Sequence, residues 1–196
     1  MHIGLTIAAA LLLIPTAAFA HPAIGNAHGF VQGLAHPLGG LDHILAMVAV
    51  GVFAWQLGGR ALWAVPATFV LVMALGGILG ITGIGIPGIE IGIAASVIVL
   101  GTIVALRVKA SVAVAMAVVA LFAIFHGHAH GTEMPLAAAS VPYAVGFMLA
   151  TALLHLAGIA LGFAIGRAGD SYGRLGYRFA GGLVALAGVA ILAQAI

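Results

Sequence analysis

Residues 62–81, LWAVPATFVLVMALGGILGI, contain no charged side chain and a single hydroxyl in 20 positions. At the α-helical rise, about 20 apolar residues span the roughly 30 Å hydrocarbon core of a bilayer. In lipid such a segment satisfies its backbone groups only as a helix. Similar apolar runs, broken at Gly, Pro and charge, fall near 39–57, 89–106, 110–127, 141–165 and 178–195. The expected fold is all-α: a polytopic transmembrane helix bundle of about six spans. Composition agrees, with 64% hydrophobic and 5% charged residues and a mean hydropathy of +1.31. Lipid is the only solvent that suits such a surface.

The rest of the composition excludes several classes. Lys and Arg total 6 and Asp and Glu total 4, so no basic face exists for nucleic acid. The chain has no Cys, which removes disulfides, iron–sulfur clusters and thiolate zinc sites. A metal would be held by imidazole and oxygen, and the 9 His become the informative minority. No phosphate-binding loop is present, which excludes ATP hydrolysis by this chain.

At the start, an apolar stretch from Ile3 to Ile14 precedes Pro15 and Ala18-Phe19-Ala20, the small-x-small pattern of a signal-peptidase site. The expectation is a cleaved signal peptide over 1–20 and a single transmembrane helical domain over 21–196, with His21 as the mature N-terminus. If that terminus lies outside, the connections 58–61, 107–109 and 166–178 fall inside. Arg60, Arg107, Lys109, Arg167, Arg174 and Arg178 then share the cytoplasmic side, as the positive-inside rule requires. This predicts a multi-pass protein of the bacterial inner (plasma) membrane with a periplasmic mature N-terminus. Gly158, Gly162 and Gly166, and likewise Gly76, Gly77 and Gly80, read as packing residues where helix backbones approach.

Polar chemistry gathers at the outer ends of the spans. The first group is His36-Pro37-Leu38-Gly39-Gly40-Leu41-Asp42-His43. With Pro37 in a helix's first turn, His36 and His43 would lie nearly on one stripe, two turns apart. Asp42 could complete a metal shell or accept the other N–H of a ligating imidazole. The second group is Phe125-His126-Gly127-His128-Ala129-His130-Gly131-Thr132-Glu133-Met134-Pro135. In a continuous helix His126 and His130 share a face at i, i+4 with Glu133 a turn beyond, and His128 points elsewhere. In an unwound segment His126, His128 and His130 alternate onto one side instead. Spacing leaves both geometries open.

His155, deep in the fifth span, is a candidate relay because an ionisable group at that depth is costly. Its alternative is a hydrogen-bonded packing residue. His21, through its α-amine and ring, is a candidate surface chelator near His28, itself read as a solvated loop residue. Glu90, following Pro87 and Gly88, reads as a negative charge suited to a helix N-terminus, with a metal role as its alternative. Met47 reads as core.

The motifs His36-Pro37-x-x-Gly40-x-Asp42-His43-x-Leu45-Ala46-Met47-x-Ala49-Val50-Gly51 and Phe125-His126-Gly127-x-Ala129-His130-Gly131-x-Glu133-x-Pro135 resemble the HupE/UreJ family. The likeness extends over essentially the whole chain. Val52-Phe53 stands where the family pattern has Leu-Trp, a departure in packing rather than ligands. The first motif is also similar to the His-x4-Asp-His signature of larger nickel-cobalt transporters, with five residues intervening here. The resemblance implies an accessory protein of nickel hydrogenases and ureases, a nickel permease with a cleavable signal and about six spans. It implies Ni2+ as substrate, with Co2+ as a variant, and carries His36, Asp42, His43, His126, His128, His130 and Glu133 onto the motif positions.

The expected function is therefore a secondary transporter taking Ni2+ from periplasm to cytoplasm for hydrogenase or urease maturation, not an enzyme, and without a prosthetic group. The expected partners are the nickel or cobalt ion and the lipid bilayer, with a homo-oligomer left open. An alternative is an intramembrane metalloenzyme, a zinc hydrolase or di-iron oxygenase with Glu133 or Asp42 as base. A bis-histidine haem protein needs facing His at matched depth, and by sequence only His155 is deep.

Overall fold

The computed structural model describes residues 26–134 and 140–196. The expected signal peptide and His21 lie outside these. All the regular structure described is helical: α1 (Asn26–Ala35), a 3-10 turn (His36–Leu38), α2 (Leu41–Leu57), α3 (Ala61–Ile81), α4 (Ile89–Leu106), α5 (Val112–Thr132), α6 (Ser140–Arg167) and α7 (Gly169–Ala195). Helices α3 to α7 are each long and apolar enough to cross a bilayer. A sixth crossing arises when the segment Ala27–Leu38 and α2, which meet at a bend of 80°, are counted as one broken span. The protein is a multi-pass membrane protein. Leu71, Leu75, Ile78, Phe179 and Leu186 are exposed, which suits a lipid-facing surface. Phe53, Phe69, Met47, Val65 and Leu100 fill the interior.

Several sequence expectations need correction. His36 and His43 do not lie on one helical stripe, because the helix breaks between them: Pro37 sits in the 3-10 turn, Gly40 is extended (φ −104°, ψ 117°), and α2 begins only at Leu41. The residues before 39 also form α1 rather than a loop, and His28 lies on it, 2.9 Å from Gln32. Secondly, 166–178 is not a connection. Helix α6 runs to Arg167 and α7 starts at Gly169 (φ 82°), so Arg174 and Arg178 stand on α7.

Glycines join the spans in pairs. A Cβ at Gly127 would strike the carbonyl of Met73, one at Gly131 the carbonyl of Gly77, and one at Gly76 the carbonyl of Ile124, so α3 and α5 run parallel with backbones in contact. The same holds for α2 and α6 through Gly51 and Gly158, and, antiparallel, for α4 and α7 through Gly101 and Gly181. Helix α1 docks on α6 where Gly33 meets Tyr143 and Gly146 meets Phe30. Small residues permit this approach, which gives lipid-embedded helices their dispersion contact. The basic end is tied by the Tyr177 hydroxyl donating to the Gly162 carbonyl at 2.6 Å, with the Arg107 guanidinium 5.5 Å from the Tyr177 ring.

Candidate metal centre

The opposite end carries the histidines. Helix α5 remains helical through Thr132, so of the two geometries left open for residues 126–133 the continuous helix is the one adopted. The α3–α5 seam fixes its rotation: Gly127 and Gly131 face α3, which turns His126 toward α2 and α4 and His130 toward α2 and α6. His128 points elsewhere, with Nε2 2.8 Å from the Ile84 carbonyl in the loop between α3 and α4.

Among the described residues two trios of potential ligands result, each with ligand atoms within 4.8 Å of one another. The outer trio is His36, His130 and Glu133. His36 Nε2 lies 3.1 Å from His130 Nδ1 and 3.3 Å from Glu133 Oε2, which is 3.2 Å from His130 Nδ1. The inner trio is His43, His126 and His130, with His130 Nε2 3.1 Å from His43 Nδ1. Their ring centroids are 4.8 Å apart for His43 and His130 and 5.4 Å for His43 and His126. Side-chain exposure falls along the series, from 57% at Glu133 through 28% at His36 and 14% at His130 to none at His43. A gradient of this kind leads from solvent to a buried interior.

The trios draw on separate parts of the chain. His36 comes from the 3-10 turn, His43 from α2, and His126, His130 and Glu133 from α5 and its end. Phe147 on α6 packs against the rings of His36, His43 and His130 at 6.0, 5.4 and 4.8 Å. A cavity of about 490 Å³ opens at the outer trio, lined by His36, Asp42, Glu90, His130 and Glu133 among others. Asp42 belongs to neither trio. Its Oδ1 accepts the backbone N–H of His43 at 2.6 Å, a negative charge in the first turn of α2 where the helix dipole favours it.

Hydroxyls buttress the inner imidazoles. His43 Nε2 lies 3.2 Å from Thr151 Oγ1 on α6, and the Thr151 hydroxyl donates to Met73 Sδ at 3.9 Å. His126 Nε2 lies 2.8 Å from Ser96 Oγ on α4, and the Ser96 hydroxyl donates to the Ile93 carbonyl at 2.6 Å. Such partners orient a metal-binding ring and fix its tautomer. His155 is 1% exposed, packs on Phe69 at 5.4 Å, and neither ring nitrogen has a partner among the described residues.

Ser96, Thr151 and Phe147 were missed by sequence reasoning, and Glu90, read first as a helix N-terminus with a metal role as its alternative, lines the cavity. A usable signal existed for two of them: Ser96 and Thr151 are hydroxyls inside otherwise apolar spans, at depths where every polar atom needs a partner.

Residues 9–191 match the family described as HupE / UreJ protein. Protein HupE of Rhizobium leguminosarum bv. viciae is 49% identical over 189 residues, covering 96% of each chain. No solved structure matches the chain.

Proposed function

Starting from a chain that belongs to the HupE/UreJ family, we propose that it is a secondary transporter for a divalent transition metal, Ni2+ first and Co2+ as a variant. It acts as an accessory protein for hydrogenase or urease maturation. The ion moves from the periplasm into the cytoplasm across the inner membrane, and the mature N-terminus is periplasmic. The observation that carries this reading is the pair of histidine trios, each with ligand atoms within 4.8 Å, that run from an open cavity to a buried interior.

Imidazole and carboxylate are borderline-to-hard donors that suit Ni2+ and Co2+. At the outer mouth His36, His130 and Glu133 replace part of the ion's water, and the Glu133 carboxylate offsets its charge. The buried trio then offers nitrogen ligands where no solvent competes. Asp42 and Glu90 lend negative potential to the cavity, drawing cations in. Accumulation needs no nucleotide: two charges crossing an inside-negative potential gain about 4.6 kcal/mol per 100 mV, twice the single-charge value. The six basic residues at the other end set the orientation that makes this direction inward.

The test is reconstitution into liposomes with an inside-negative potential and radioactive nickel outside. Uptake that is lost in His36→Ala and His130→Ala supports the transporter. A well-inserted native protein that moves no nickel, cobalt or other divalent metal would overturn it in favour of an intramembrane metalloenzyme.

A further inference from the structure

The two trios share His130, and they meet opposite edges of its ring. The outer trio approaches Nδ1, 3.1 Å from His36 Nε2 and 3.2 Å from Glu133 Oε2. The inner trio approaches Nε2, 3.1 Å from His43 Nδ1. A neutral imidazole has one lone pair for a metal, and its other nitrogen carries a proton. One ring therefore serves one trio at a time.

The other inner rings are already set. The Ser96 hydroxyl donates its one proton to the Ile93 carbonyl, so its oxygen accepts from His126 Nε2–H and leaves His126 Nδ1 as the free lone pair. The Thr151 hydroxyl donates to Met73 Sδ, so it accepts from His43 Nε2–H and leaves His43 Nδ1, the atom that faces His130. His130 alone has a partner suited to each tautomer. With the proton on Nε2 it donates to His43 Nδ1; with the proton on Nδ1 it donates to the Glu133 carboxylate.

We propose, resting on the transporter reading, that the two trios are alternating stations for a single divalent cation, and that His130 hands the ion inward by exchanging its tautomer. At the outer station the ion sits on His130 Nδ1 with His36 and Glu133, and Nε2 holds the proton. At the inner station it sits on His130 Nε2 with His43 and His126, and Nδ1 holds a proton donated to Glu133. The ion's bond to Nδ1 breaks and its bond to Nε2 forms. One proton leaves Nε2 and one is gained at Nδ1, exchanged through the outer cavity that His130 lines, so the ring's charge is the same before and after.

The experiment counts nickel per chain at saturation in the detergent-solubilised full chain, by equilibrium dialysis and elemental analysis, and pairs it with liposome uptake. The proposal expects one ion per native chain. His126→Ala keeps one ion, on the outer trio, and loses uptake. The chain with His130 replaced by Nδ1-methylhistidine keeps one ion, on the inner trio, and also loses uptake. His130→Ala loses the bound ion. Two ions per native chain would overturn the hand-over while leaving the transporter reading intact, and so would native-rate uptake with Nδ1-methylhistidine at position 130. A native chain that binds no nickel would overturn both.

Discussion

Ser96 Oγ on α4 stands 2.8 Å from His126 Nε2 on α5, and both side chains are sealed from solvent, at 0% and 1% exposure. A hydroxyl in an apolar helix thus aims an imidazole that the metal motif supplies. Ser96→Ala leaves a buried ring N–H without a partner, which costs about 1–3 kcal/mol. Loss of an outer partner of a metal ligand typically weakens binding about 10–100-fold. Nickel titration of the purified variant should read a loss in that range; native affinity would show that Ser96 is only packing.

Gly127 faces the Met73 carbonyl with no room for a methyl group. Gly127→Ala should force α3 and α5 apart and destabilise the bundle by about 1–3 kcal/mol, the usual cost of overpacking. A lowered thermal unfolding midpoint in detergent is the expected result. Because His126 and His130 ride on the same helix, nickel affinity should fall with it. An unchanged midpoint would mean the seam is looser than its geometry.

His128 belongs to the motif by sequence, yet its Nε2 is engaged by the Ile84 carbonyl. His128→Ala should leave nickel affinity and stoichiometry unchanged. It should instead free the loop between α3 and α4, residues 82–88, and speed amide hydrogen exchange there. A clear loss of bound nickel would place His128 among the ligands.

Among the described residues the two buried ring nitrogens of His155 have no partner, a burden of about 1–3 kcal/mol for a buried polar group. His155→Leu should therefore raise the unfolding midpoint. If the ring is a deeper stepping point, the same variant should slow uptake severalfold at saturating nickel while equilibrium binding at the two trios stays native. A more stable protein with native uptake would leave His155 without a role in transport.

The spans were legible because lipid imposes a length and a composition that 62–81 and its neighbours satisfy openly. Helix α1 was not, since residues 26–38 are too short for a crossing, contain Pro37 and are followed by Gly39-Gly40. The α6–α7 connection misled for the opposite reason. Gly169, Gly173 and Gly176 among charged residues look like a loop, yet Gly173 and Gly176 pack directly on Ile165. Most candidate ligands were readable because an ionisable ring at membrane depth is costly and seldom kept without a use. That His36 reaches His130, and that His130 faces two ways, depends on a bend of 80° between α1 and α2 that no periodicity announces.

The glycine seams divide the bundle into three welded units: α3 with α5, α4 with α7, and α2 with α6 and α1. The centre is assembled from all three, with His126 and His130 from the first, Ser96 from the second, and His43 and Thr151 from the third. Helices locked backbone to backbone separate at high cost, whereas the junctions between units are closed by ordinary side chains. The ligands thus sit like the jaws of a three-jawed chuck, so a shift of one unit against the others would change the grip at their common axis without deforming any one of them.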